Sequence, residues 1–359
     1  MNITVVGGGN VGTQLATHCA EKGHSVTVYT SKPHCFSKQL TVVNEVGEVI
    51  HQGTIQGATA DEREAFAAAE LILITLPAYC MNEIAQKIAP FAKAGMKIGI
   101  VPGTGGGECA FGSCLAAGAT VFGLQRVPSV ARLVEYGKIV RATGYRQTLH
   151  VAALPNCHTE EIRELIASLL DMECERLPCY LNLTLTPSNP ILHTTRLRTI
   201  FGDYAPGKHY ASLPLFYEEW SDESSYLLFA CDDEVQAICR AVTELDLSLV
   251  RSLKEHYESA TPEALTRKIR SIRGFKGLTT PSVKEDGGYI PDLNSRYFTA
   301  DFSYGLTIIK QIADIYGLEV PHITQTLAWY DEIALSNACY SYAAYGITDR
   351  ESFVRFYQQ

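Results

Sequence analysis

The segment Gly7-Gly8-Gly9-Asn10-Val11-Gly12 constrains this chain more than any other. It spells G-x-G-x-x-G directly behind an apolar run, Ile3-Thr4-Val5-Val6, and directly ahead of a helical stretch, 13–22, that Gly23 closes. A second β-forming run, 25–29, follows. Glycine-rich turns are common, but inside a complete strand–turn–helix–strand unit the spacing has a physical meaning. Gly7 makes the tight turn, Gly9 lets the backbone approach a pyrophosphate, and Gly12 lets the helix pack close on the strand. Around Asn10 and Val11 the free N–H groups and positive end of the helix dipole suit an anion. A dinucleotide site at the head of a Rossmann-type sheet is the expectation.

The pattern of the first half supports that sheet. Residues 71–76 form a nearly continuous apolar run, as expected of a strand buried on both faces of a parallel sheet. Further strands are expected at 97–101 and 120–124, with helices over 61–69 and 80–92 between them, and 41–43 and 48–50 as a short β excursion. Pro77 and the loop around Gly103 follow strands of this sheet, so their backbones are expected to line the cofactor crevice. After about residue 180 the pattern turns helical. Asn189-Pro190 can open a helix to Phe201 with Gly202 as its stop, and Thr261-Pro262 is a capping pair. Amphipathic stretches occupy 222–245, 302–317 and 321–335. The expected architecture is α/β. A doubly wound nucleotide-binding domain over 1–176 precedes an all-helical substrate domain over 177–359, with the ligand cleft between them.

Charge and cysteine usage narrow the class. A net charge of −9 argues against a nucleic-acid partner, because phosphate binding wants a basic face. No run approaches the ~18 apolar residues of a membrane span, and the first strand leaves no room for a signal peptide. Eleven cysteines, none in a C-x-x-C pair, read as reduced thiols of a cytoplasmic protein, and no metal site is expected.

The end of the second strand selects the nucleotide. A free ribose 2′-OH is usually held by an acid there. This chain has Thr30-Ser31-Lys32, two hydroxyls and an ammonium that suit a 2′-phosphate. NADP is therefore expected as the preferred cofactor, with NAD as the alternative.

Two segments further on, Asn189-Pro190-Ile191-Leu192-His193-Thr194 and the stretch from Leu293-Asn294-Ser295-Arg296-Tyr297-Phe298 through Asp301 to Gly305-Leu306, narrow the family. With the Gly7–Gly12 motif and the Pro102–Gly106 loop, they make the chain resemble the octopine/nopaline (opine) dehydrogenase family over nearly its whole length. The pattern L-N-x-R-Y-F-x-x-D-x-x-x-G-L is the most specific part. The chain departs from the family at Ala300, where an acid is common, and around Gln125-Arg126-Val127-Pro128-Ser129; these differences bear on the substrate rather than the reaction class. The resemblance implies reductive joining of an amino acid to a 2-oxo acid such as pyruvate, with hydride from NAD(P)H reducing the imine. It also implies a His193–Asp301 catalytic dyad, with Arg296 reaching toward the cofactor pyrophosphate.

The residue chemistry agrees. Proton donation near neutral pH suits histidine, and a carboxylate on its other ring nitrogen fixes the tautomer. Asn189 lies four residues before His193 and shares its helical face; Asn189 and Tyr297 are taken as substrate contacts. Substrate carboxylates need cations, and Arg126, Arg132, Arg196 and Arg198 are candidates, Arg126 and Arg196 foremost. Asp301 as a helix cap and Arg296 as a surface ion-pair partner are the bland alternatives. Two other readings stay open. One is a reductase similar to ketopantoate reductase or glycerol-3-phosphate dehydrogenase, which generally uses a lysine on the early second-domain helices; residues 181–201 contain none. The other is a non-catalytic nucleotide sensor. A homodimer is left open.

Overall fold

The apolar strands of the first half assemble as their burial requires. The computed structural model describes residues 1–334 and 339–359. Two compact units are present, Met1–Thr184 with Val354–Gln359, and Leu185–Phe353. The expected boundary after residue 176 is thus displaced to Thr184/Leu185, and the last six residues group with the first unit.

The first unit contains β1 (Asn2–Val6), β2 (Ser25–Tyr29), β3 (Gln39–Val43), β4 (Val49–Thr54), β5 (Gly57–Thr59), β6 (Leu71–Ile74), β7 (Lys97–Ile100), β8 (Thr120–Leu124), β9 (Val130–Glu135), β10 (Ile139–Thr143), β11 (Thr148–Leu154) and β12 (Glu173–Arg176). Eight of them form one sheet in the order β12-β11-β8-β7-β6-β1-β2-β5. Every pairing is parallel except β11 on β8. Because β1 lies between β2 and β6, the chain order reverses at its carboxyl end, where open α/β sheets bind ligands. Helices α1 (Asn10–Glu21), α2 (Glu62–Phe66), α3 (Met81–Ile88), α4 (Gly112–Ala116) and α5 (Thr159–Leu170) complete the unit. Val5, Leu73 and Val151 pack with α1 and α5 in one apolar core, while Ile72, Ile74 and Ile98 pack with α2 and α3 in another. The β excursion is a separate four-stranded sheet, β4-β3-β10-β9.

The second unit is built on buried helices. Helix α6 (Leu181–Leu185), whose first four residues belong to the first unit, leads into α7 (Asn189–Phe201), α8 (Asp222–Ala241), α9 (Leu253–His256), α10 (Pro262–Ser271), α11 (Arg296–Thr299), α12 (Thr307–Ile315) and α13 (Pro321–Ile333), and α14 (Arg350–Tyr357) carries the chain back into the first unit at Val354. Helix α7 is buried on nearly all sides from Pro190 to Leu197. Its threonines tolerate this by donating back to the helix, Thr194 to the Pro190 carbonyl and Thr195 to that of Ile191 at 2.7 Å. Two buried acids of α8 cap other helices: Asp232 accepts from the Leu253 amide at 2.8 Å, and Glu234 from those of His322 and Ile323 at 2.8 and 3.0 Å. One hairpin, β13 (Ser282–Glu285) with β14 (Gly288–Pro291), interrupts the helices; its short, polar strands carry little sequence signal. Among the described residues no helix is long and apolar enough to cross a membrane.

Candidate active site

Each fingerprint glycine answers to a different constraint. Gly7 has φ +105°, and a Cβ there would stand 2.7 Å from the Thr75 hydroxyl. A Cβ on Gly12 would stand 1.8 Å from the Gly7 carbonyl oxygen, so only glycine lets α1 lie this close to β1. Around Gly9 a Cβ would meet nothing within 4 Å. Helix α1 starts three residues earlier than expected, at Asn10, which makes Gly9 its N-cap. The first-turn N–H groups have no intrahelical partners, and the backbone beside them is open, so a pyrophosphate fits here. The Asn10 side chain accepts from the Leu133 amide at 2.7 Å, tying α1 to β9, and Val11 packs against the core.

The end of β2 presents the expected polar groups. Thr30 is buried, its hydroxyl 3.3 Å from that of Tyr136, whereas Ser31 and Lys32 are exposed. The Lys32 ammonium stands 5.8 Å from the Tyr136 ring centre. Pro77 is exposed after β6. Gly103 corrects the expectation: it is buried, its amide donates to the Leu124 carbonyl at 2.7 Å, and a Cβ there would press on Gly123 at 2.5 Å. Strand packing, not ligand approach, requires that glycine. Below this loop Glu108 is fully buried, accepting from the Tyr357 hydroxyl at 2.7 Å and from Thr184 at 3.4 Å. Burial pushes its carboxyl up to about 7.

In the second unit the two motif segments meet. His193 Nδ1 lies 2.7 Å from Asp301 Oδ2 across 108 positions of sequence. Gly305 makes the approach feasible, because a Cβ there would stand 2.8 Å from the Pro190 side chain in the first turn of α7. Asp301 makes no capping bond. It leads into a π-helical turn, Phe302–Leu306, a distortion frequent at functional sites. An ionised carboxylate only accepts, so Nδ1 carries the hydrogen and Nε2 presents a lone pair in the neutral ring. Tyr217 meets that lone pair, its hydroxyl 2.7 Å from Nε2. Nothing in the sequence pointed to Tyr217, which lies in the irregular connection between α7 and α8 with no periodic relation to His193. Tyr297 packs edge-on against the imidazole with ring centres 4.3 Å apart, and the exposed Arg296 guanidinium stands 5.7 Å from the Tyr297 ring centre. Asn189 is exposed one turn before His193.

The arginine expectations divide. Arg196 is corrected: it is 3 % exposed and hydrogen-bonds the carbonyls of Phe216 and Glu219 at 3.0 and 2.6 Å and the Ser224 hydroxyl at 3.2 Å. Burial, with Arg270 nearby, lowers its guanidinium to about 10. Buried, it directs these donors to the α7–α8 connection and the start of α8 rather than to a substrate. Arg198 packs over Trp329 and lines a groove of about 830 Å³ with Asp203, Tyr210, Glu223 and His322; His193 is not part of that lining. Arg132 is exposed on β9 and bonds the Ala131 carbonyl. Arg126 is half-buried after β8, near enough to Arg146 that the two cations repel. Among the described residues one trio could hold a metal, His18, Glu21 and His51. Glu21 pairs with His51 at 2.7 Å, and His18 with the Tyr145 hydroxyl at 3.2 Å.

Comparison with known proteins follows the same lines. Residues 176–334 match a family described as NAD/NADP octopine/nopaline dehydrogenase, alpha-helical domain, and residues 2–103 match the NAD-dependent glycerol-3-phosphate dehydrogenase N-terminus. The chain is 26 % identical to tauropine dehydrogenase of Arabella iricolor, covering 92 % of this chain and 91 % of that one. It is 24 % identical to octopine dehydrogenase of Mizuhopecten yessoensis, covering 92 % and 90 %. A solved octopine dehydrogenase in complex with NADH and agmatine superposes with a TM-score of 0.83 at 22 % identity, covering 99 % of this chain and 98 % of that one.

Proposed function

The chain belongs to the octopine/nopaline (opine) dehydrogenase family, and from that premise we propose which of its residues carry the reaction and which substrates they take. It is an NAD(P)-dependent oxidoreductase acting on CH–NH groups, condensing an amino acid reductively with a 2-oxo acid. The pyridine nucleotide supplies the hydride. In this reading the first unit binds it through the Gly7–Gly12 turn, with Arg296 as a further contact to the pyrophosphate.

The observation that carries the catalytic assignment is the 2.7 Å bond between His193 and Asp301. Asp301 fixes the imidazole tautomer and stabilises its protonated form. His193 then delivers a proton to the oxygen lost as the imine forms, and takes one back in the reverse direction. Arg126 receives a substrate carboxylate, while Asn189 and Tyr297 orient the amino acid. NADPH is the preferred cofactor, because Ser31 and Lys32 are exposed at the end of β2 with no carboxylate to hold a 2′-hydroxyl. The 2-oxo acid is pyruvate or similar, the working assembly a homodimer and the compartment the cytoplasm. The deciding assay follows NADPH oxidation with pyruvate alone and with pyruvate plus each of a panel of amino acids. Turnover that depends on the amino acid is expected; equal turnover with pyruvate alone would replace this reading with a simple 2-oxo acid reductase.

A further inference from the structure

A second cluster of chemistry-bearing side chains lies wholly within the first unit, at the carboxyl end of α1. His18 and Glu21 stand three residues apart and share a face of that helix. Strand β4 crosses this face closely: a Cβ on Gly53 would stand 2.6 Å from the Thr17 carbonyl oxygen and 2.8 Å from the Glu21 amide nitrogen. His51 lies two residues earlier on the same side of β4. The crossing lays its ring beside that of His18, with ring centres 4.0 Å apart. One ligand atom from each of His18, Glu21 and His51 lies within 4.8 Å of the others.

The contacts already present orient these groups. Glu21 Oε2 meets His51 Nδ1 at 2.7 Å, while Oε1 accepts from the Gln52 amide at 3.2 Å. His18 Nε2 meets the Tyr145 hydroxyl at 3.2 Å, and among the described residues its Nδ1 has no hydrogen-bond partner. No hydrogen bond joins the two imidazoles there either, so their close approach brings neither a partner. The surroundings favour a positive guest. Glu21 and Asp171 outweigh Lys22, which pairs with Asp171, and the carboxyl end of α1 is the negative end of its dipole. His18 is buried, whereas His51 and Glu21 are partly exposed, so an ion can enter from solvent.

We propose that His18, Glu21 and His51 form a binding site for a divalent transition-metal ion of the zinc class, which fastens the end of α1 to β4. Two imidazoles and a carboxylate are a donor set that such ions take, whereas calcium and magnesium favour oxygen. Tetrahedral zinc, with bonds of about 2.0–2.1 Å, spaces its ligand atoms about 3.4 Å apart. The widest pair, within 4.8 Å, must therefore close by at most about 1.4 Å, a movement the two partly exposed side chains supply. Three protein ligands leave the fourth position to water. Tyr145 on His18 and the Gln52 amide on Glu21 are contacts of the kind that hold metal ligands in orientation. The expectation of no metal rested on cysteine spacing, which this set does not use. His51 lies 30 positions beyond Glu21, and only folding joins them.

The test uses the whole protein, stripped with EDTA and titrated with Zn²⁺ alone by calorimetry. We expect one ion per chain at micromolar or tighter affinity. The thermal midpoint should rise by several degrees with zinc, because an ion that binds only the folded state stabilises it. His51→Ala and Glu21→Gln alter partly exposed side chains, so the fold should survive both. Each should weaken zinc binding at least about tenfold and remove most of the thermal shift. Co²⁺ in place of zinc identifies the donors. Weak visible bands fit nitrogen and oxygen ligands, whereas intense thiolate charge-transfer bands would put the ion on cysteines and overturn the proposal. Absence of stoichiometric binding, or binding that both variants leave unchanged, overturns it as well. None of these readouts involves turnover, so they stand or fall separately from the reaction proposed above.

Discussion

At the scale of single residues, His193 and Asp301 make a sharp prediction. Replacing His193 by Ala should lower kcat by about 10²–10⁴ while leaving NADPH affinity unchanged, since general acid–base assistance contributes that much. Asp301→Asn should resemble it, because an amide can hold the ring in the wrong tautomer. The double variant should then be little worse than either, as expected of groups acting together. Steady-state rates and calorimetric binding measured side by side check this; wild-type turnover in His193→Ala would end the assignment. Ser31 carries a second prediction. Ser31→Asp should shift the ratio of kcat/KM values from NADPH toward NADH, because the new carboxylate repels a 2′-phosphate and accepts from a 2′-hydroxyl. A wild-type preference for NADH above about tenfold would contradict the motif's role.

At the scale of an element, the turn between β1 and α1 separates folding from binding. Gly12→Ala places a methyl group 1.8 Å from the Gly7 carbonyl, which no rotamer relieves, so the helix must leave the strand. A loss of several kcal/mol, or no soluble protein, is expected, as for other overpacked sites. Gly9→Ala should behave in the opposite way. Its backbone, at φ −85° and ψ −162°, suits alanine and the space around it is open. The thermal midpoint should change little, about 1 kcal/mol at most for the altered N-cap, while cofactor affinity drops because the methyl occupies the path of the pyrophosphate. If Gly9→Ala binds NADPH normally, the phosphates do not cross the helix at that point. Thermal melts with and without NADPH distinguish the two glycines.

For the whole molecule, two buried titrating groups of the first unit oppose each other. His18 is lowered from 6.5 to about 4, by burial first and by His51 second. The stability this contributes is present above 6.5 and lost as pH falls toward 4. Glu108 is raised from 4.5 to about 7 by burial. Its contribution is complete below 4.5 and lost as pH rises through about 7. Each amounts to about 3 kcal/mol at most, at 1.36 kcal/mol per pH unit. Between pH 4.5 and 6.5 the two slopes nearly cancel. Relative to wild type, His18→Gln should therefore gain stability as the pH falls through this window, and Glu108→Gln should gain it as the pH rises. Chemical denaturation at several pH values reads both, and parallel curves for the two variants would show that neither group titrates as its burial implies. Glu108 bonds both Thr184 and Tyr357, which stand where the chain leaves the first unit and after it returns.

The sequence by itself determined the local and repetitive features. Strand burial, the glycine turn, helix α7 with Gly202 behind it, and the Thr261-Pro262 cap all follow from side-chain period, steric need and backbone conformation, which neighbouring residues specify. The pairing of His193 with Asp301 was legible only because each lies in a motif. Tertiary packing decided what remained. It spent Arg196 on carbonyl groups, turned Gly103 inward against Gly123, moved the boundary between units to Thr184, and placed Tyr217 on the free nitrogen of His193. Whether an arginine meets a substrate or a carbonyl, and whether a tyrosine reaches a histidine 24 positions away, depends on which surfaces pack. That depends on apolar area buried across the chain, a non-directional quantity that no local pattern records.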